Sequence, residues 1–156
     1  MAVSIRGTII VLTTMAYLTG AHAMAEDGLV TLRSALGPVE TMSRLEAAVK
    51  ARGMTVFVHI DHAAGASAAG MSLRPTDLLI FGAAKGGTPL MQSVQAVGID
   101  LPLKALVWQD EAGTTFLSYN DPAYLARRHG LGTAANAAVD GMSRTLGEIA
   151  KETTSP

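Results

Sequence analysis

Between residues 28 and 151 the apolar residues switch repeatedly between a period of two and a period of three to four. A chain patterned this way has to pack strands and helices together around one core. Gly28–Ala35 alternates weakly and reads as an opening strand, broken by Gly37-Pro38. Val39, Met42, Leu45, Ala48 and Val49 then recur at helical spacing, and Gly53 supplies the stop. Met54–Asp61 is rich in β-branched residues and is predicted as a strand with Val56, Val58 and Ile60 on one face. His62–Gly70, built of Ala, Gly and Ser, reads as a loop.

Leu79-Ile80-Phe81 is a short strand, followed by a Gly-containing loop over Ala83–Gly87. Thr88-Pro89 is the expected start of a helix reaching about Val97, with Thr88 as N-cap and Pro89 in the first turn. Leu101–Trp108 and Thr114–Tyr119 read as strands joined by a turn at Asp110–Gly113. Trp108 is assigned to the core. Pro122–Arg128 is a short helix closed by His129-Gly130. Thr133–Lys151 is a final helix whose stripe is Ala135, Val139, Met142, Leu146 and Ile149, with a polar tail after it. Neither a repeat nor a linker divides the chain. The expected fold class is α+β, a two-layer sandwich of a mostly antiparallel sheet packed against helices.

Residues 1–25 have the form of a secretory signal peptide: Arg6, an uncharged stretch from Gly7 to Gly20, then Ala21-His22-Ala23 and Ala23-Met24-Ala25 as cleavage sites. Cleavage after Ala25 is favoured, with Ala23 as the other site. The alternative of an uncleaved anchor is disfavoured because the apolar run is short of the roughly 20 residues that span a bilayer. The product is therefore expected to be exported, to the periplasm or the medium, with no membrane span after cleavage. The domain itself is expected over 26–132, with a C-terminal helix and tail over 133–156.

Composition narrows the function. Hydrophobic residues make up 49 % of the 156 and charged residues 16 %, which suits a packed domain and not a disordered one. The 12 basic and 13 acidic residues leave a formal charge of −1, so nucleic-acid binding through phosphates is not expected. The absence of cysteine removes disulfides, thiolate metal sites and thiol catalysis. There is no nucleophile elbow, no H-E-x-x-H and no Rossmann glycine pattern, and no cofactor is identifiable.

Five blocks carry the remaining candidates: Ile60-Asp61-His62-Ala63-Ala64, Leu73-Arg74-Pro75-Thr76, Phe81-Gly82-x-x-Lys85-x-Gly87-Thr88-Pro89-Leu90-Met91, Leu101-Pro102-Leu103-Lys104, and Ser118-Tyr119-Asn120-Asp121-Pro122-x-Tyr124-Leu125 with Arg128-His129. In this order they resemble the domain of unknown function 302 family, with its TT1751-like fold, from about Leu29 to Leu131. The resemblance implies an α+β fold and a homodimer, and implies no particular activity. The chain departs from the family at Ala83-Ala84, where the usual form has Asn-Pro, a pair that would stiffen the loop before Lys85.

The glycine-rich segment Gly82–Thr88 presents free backbone N–H groups at a helix start, and Lys85 adds a charge, so it is suited to an anion. It is not a Walker A loop, because Thr88 follows Gly87 directly. The duller reading is a tight turn with a plain helix cap. Asp61-His62 can serve acid–base chemistry or simply hold a loop through backbone hydrogen bonds. Arg74 can pair with Asp61, Asp77 or a bound carboxylate. Tyr119 and Asn120 can face a pocket, although Asn120-Asp121 also suits a helix cap. A metal held by His59, His62 and His129 would be thin on ligands, and none is expected.

Three functions remain. The first is an exported homodimer binding a small anionic or polar ligand through Asp61, His62, Arg74, Lys85, Thr88, Tyr119 and Asn120. The second is an enzyme with Asp61/His62 as acid–base. The third is a structural or partner-binding dimer using the C-terminal apolar stripe.

Overall fold

The computed structural model describes residues 28–156; the segment read as a signal peptide lies outside them. The order is β1 (Leu29–Arg33), α1 (Pro38–Ala51), β2 (Thr55–Asp61), α2 (His62–Ala68), β3 (Thr76–Gly82) and α3 (Ala84–Ser93). A 3-10 turn over Gln95–Ile99 follows, then β4 (Leu103–Gln109), β5 (Thr115–Asn120), α4 (Pro122–His129), a second 3-10 turn over Thr133–Ala135 and α5 (Asn136–Thr154). The strands form one sheet in the order β1-β5-β4-β3-β2, with every pair antiparallel. The fold is α+β, as the pattern of periods requires.

Strand alternation sends Leu79, Phe81, Leu103, Ala105, Val107 and Leu117 to one face, where α1 and α5 cover them. From α1 come Met42, Leu45, Ala48 and Val49; from α5 come Leu146, Ile149 and Ala150. The predicted stripe of α5 is thus spent on the chain's own core and is not free for a partner. Val39 is the exception on α1, at 86 % exposed. The last helix also runs on through Thr154, whose carbonyl accepts from Ala35 N at 2.9 Å, so most of the expected polar tail is helical.

A second, smaller core gathers Leu90, Val97, Ala135 and Val139 from α3, the 3-10 turns and α5. Leu101 and Met142 pack against both cores.

Four local expectations are corrected. β2 carries a bulge: Val56 pairs with Phe81 and Val58 with Ile80, leaving Phe57 as the extra residue. The bulge turns Val58 and Ile60 to the face opposite Val56, so the three do not share one side. The segment after Asp61 is a helix, not a loop, because the Asp61 carboxylate accepts from Ala64 N at 2.7 Å and caps it. α3 begins at Ala84, four residues before Thr88, and Pro89 lies inside it. Trp108 is not in the core: it lies on the sheet face away from α1 and α5. There it stacks on Phe116 with ring centroids 4.8 Å apart and donates from Nε1 to Ser118 Oγ at 2.9 Å.

Candidate functional site

The β3–α3 junction is built from glycine and alanine, and this is what opens a cleft beside it. Gly82, Ala83, Ala84, Gly86 and Gly87 have almost no side chain and leave space open between this junction and α5. The resulting cleft has a volume of about 610 Å³, within the roughly 300–1,000 Å³ usual for small-molecule sites. Its walls are Met54 and Phe57 before and in β2, Met91 from α3, Leu101 and Leu103 before and in β4, and Met142 from α5. The bulge places Phe57 here, since the extra residue of a bulge escapes the ladder and is re-aimed. A Cβ on Gly87 would stand 3.4 Å from Leu101 Cδ1, and one on Gly86 3.8 Å from Met142 Cε.

The charged residues lining the cleft are Arg52, Lys85 and Arg144, all cations. Arg52 is engaged elsewhere, donating to Glu152 at 2.9 Å and to the Ala48 carbonyl at 3.2 Å. Among the described residues Lys85 and Arg144 form no ion pair. The first turn of α3 borders the same space without any capping side chain. Ala83 and Ala84 occupy the N-cap and first helical positions, and neither side chain can supply a cap oxygen. The backbone N–H groups at the start of this helix therefore add positive partial charge to the cationic rim.

The sequence-derived residues divide among separate places. Lys85 lines the cleft. Thr88 is exposed on the second turn of α3 and is not its cap. Asp61 pairs with Asp77 at the start of β3, whereas Gly82, beside Lys85, ends that strand. Five steps of about 3.3 Å from Asp77 to Gly82 put the two about 17 Å apart. Asp61 caps α2, and His62 is the exposed first residue of that helix. Arg74 pairs neither with Asp61 nor with Asp77: its Nε donates to the Gln109 carbonyl at 3.1 Å, and Glu111 lies 3.9 Å away. Tyr119 is buried, with its side chain on the helix-covered face, while Asn120 is exposed at the end of β5. Asp121, not Asn120, caps α4 by accepting from Ala123 N at 3.0 Å. Burial, aided by Asp121, pushes the Tyr119 phenol above its ordinary range.

Asp61/His62 and Lys85 therefore stand at opposite ends of β3 and are not brought into one site, whereas Arg74 precedes the end of β3 that pairs with Asp61. The histidines are similarly dispersed: His59 Nε2 sits 2.9 Å from Asp77 Oδ1, and His129, the last residue of α4, contacts Asp100 at the end of the first 3-10 turn. Among the described residues no group of three or more His, Asp and Glu side chains gathers to hold a metal.

Arg52 and Arg144 were not foreseen. They reach the cleft from the end of α1 and from α5, far from Lys85 in sequence, and neither stands in a motif. The one signal available was Met142 on the α5 stripe, which marks the side from which Arg144 approaches.

A protein-family model described as "Domain of unknown function DUF302" matches residues 30–149. The match takes in most of α5, which the sequence blocks did not reach. In structure the chain is similar to an uncharacterized conserved DUF302 protein from Bacillus stearothermophilus, with a TM-score of 0.73 at 21 % identity, covering 81 % of this chain and 98 % of that one. In sequence it is similar to "Fluoride-specific ion channel FluC 1" of Brucella suis biovar 1, 44 % identical over 129 residues, covering 83 % of this chain and 51 % of that protein. It is equally similar to "Fluoride-specific ion channel FluC 2" of Brucella melitensis biotype 1, where the match covers 48 % of the relative. The chain spans about half the length of these curated relatives, and none of its described helices is long and apolar enough to cross a membrane. With the fold and 120 consecutive residues in agreement, the chain belongs to the DUF302 family.

Proposed function

We propose that the protein is an exported homodimer that binds a small anionic ligand in the cleft between α3 and α5. The observation that carries this reading is the uniform sign of the charges that line the cleft among the described residues, where Lys85 and Arg144 form no ion pair beside an uncapped helix start. An anion there gains two charge-assisted partners and the backbone N–H groups of the first turn. The binding site is thus narrowed from the seven residues named from sequence to Lys85, joined by Arg144.

Amide NMR titration with inorganic phosphate and with acetate tests the site. Shifts concentrated on Ala84–Gly87 and around Arg144 are expected. Shifts concentrated on Asp61, His62 and Arg74, or none at all, would refute it. N-terminal sequencing of the exported protein tests export, with Glu26 as the expected first residue.

Support for the dimer comes from the sheet face opposite α1 and α5. Leu29 is 46 % exposed and Val58 45 %, and the Trp108–Phe116 stack lies on the same face. A second copy covering this face would remove it from water. Val58→Lys is expected to shift sedimentation from dimer to monomer; an unchanged dimer would place the interface elsewhere.

A second reading follows from the Brucella relatives. Their names describe fluoride-specific ion channels, the match covers about half of each, and no described helix here is long and apolar enough to cross a membrane. On this reading the domain is a module that works beside a membrane protein. It predicts that excising the matched half of a Brucella relative alters fluoride flux in reconstituted vesicles without abolishing it.

A further inference from the structure

We infer that the ligand of the cleft is an amphiphilic acid: a carboxylate or similar small anionic head carrying an apolar tail, the chemistry of a medium-chain fatty acid. The inference rests on the cleft being the binding site.

The rim and the interior ask for different chemistry. Lys85 and Arg144 are exposed and reach the opening, where a charged head keeps part of its hydration. Inside, the walls are Met54, Phe57, Met91, Leu101, Leu103 and Met142. Among the described residues Thr145 is the only uncharged polar side chain lining the cleft, and its hydroxyl already donates to the Gly141 carbonyl at 2.9 Å. A sugar or a nucleobase buried here would leave its hydroxyls and ring nitrogens without side-chain partners, which is costly. A hydrocarbon tail loses nothing by entering. Three methionines among the wall residues suit a flexible tail, because an unbranched thioether side chain re-packs around varied shapes. The glycine backbone supplies the depth: side chains at Gly86 and Gly87 would approach Met142 and Leu101 and narrow the space.

The test is calorimetric titration of the purified chain with acetate, octanoate, decanoate, decanol and decyltrimethylammonium, all below their micellar concentrations. Each added methylene is expected to tighten binding about fourfold, so decanoate should bind roughly fifteenfold tighter than octanoate. The cationic decyl compound should not bind. The double variant Lys85→Ala/Arg144→Ala should lose at least tenfold in decanoate affinity with its melting temperature unchanged. Gly86→Leu fills the cleft from a helical position that tolerates leucine, and should abolish decanoate binding while the fold persists. If acetate binds as tightly as decanoate, the apolar tail is refuted and the anion site stands. If decanol matches decanoate, or the double variant binds as well as the parent, the anionic head is refuted and the proposed function falls with it. If none of the five binds, both are overturned.

Discussion

Arg52 donates to Glu152 at 2.9 Å, tying the end of α1 to the last turns of α5. That bond neutralises one of the three cations around the cleft and leaves Lys85 and Arg144 for a ligand. The three positions therefore separate in their effects. Arg52→Ala should cost up to about 1 kcal/mol of stability, the range of exposed ion pairs, and lower the melting temperature. Lys85→Ala and Arg144→Ala, each exposed and unpaired, should change stability by less than about 0.5 kcal/mol and reduce ligand binding. Arg74→Ala, at the far end of the sheet, should leave binding unchanged. Thermal melts and titrations of the four variants check this pattern, and loss of binding on Arg74→Ala would contradict it.

The uncapped start of α3 makes a second prediction. Ala83→Asn supplies a cap oxygen at the N-cap of α3, and should stabilise the protein by about 1 kcal/mol. The new side chain also satisfies a helix N–H that would otherwise face the ligand. Binding should weaken while the melting temperature rises, which is opposite to the sign expected of a merely destabilising change.

Gly28 holds the entrance to β1 in a left-handed conformation, with φ of 76°, against the ring of Tyr124. A Cβ there would lie 2.1 Å from Tyr124 Cγ. Gly28→Ala meets both the backbone strain and this overlap, so a loss of more than about 1 kcal/mol is expected in chemical denaturation. Gly53 is left-handed as well, but among the described residues a Cβ there would meet no neighbour within 4 Å. Gly53→Ala should cost only the backbone share.

Tyr119 gives the protein an alkaline limit. Its phenol is raised by burial, so the folded state holds the proton more tightly than the unfolded chain does. The resulting stability is complete below the unfolded phenol value of about 10 and is lost as pH rises through the higher folded value. Denaturation midpoints should fall above about pH 10 in the parent. In Tyr119→Phe that fall should be smaller, and tyrosinate absorbance should show one late-titrating phenol fewer.

What could be read in advance was whatever depends on local period. α1, α4, α5 and the β4–β5 hairpin follow from spacing and from glycine stops, and Gly53 and Gly130 are left-handed where a helix end demands it. α2 was hidden because Ala, Gly and Ser carry no apolar period; its one anchor is the Asp61 cap. The β2 bulge left no mark in the alternation, yet it decides which face Val58 takes and sends Phe57 to the cleft. Trp108 was misplaced because period fixes that it sits opposite Val107 but not which face the helices cover. At the site, Lys85 was visible as a charge in a glycine-rich turn. Arg144 was not, because only the packing of α5 against α3 brings it near.

The most direct test of the account is native mass spectrometry of the exported protein beside its Lys85→Ala/Arg144→Ala variant, both purified gently. A dimer of the parent carrying a reproducible small acidic adduct is expected, and the same dimer of the variant without it. An identical adduct on both proteins, or a parent that neither retains one nor takes up added decanoate, would contradict the assignment of the cleft.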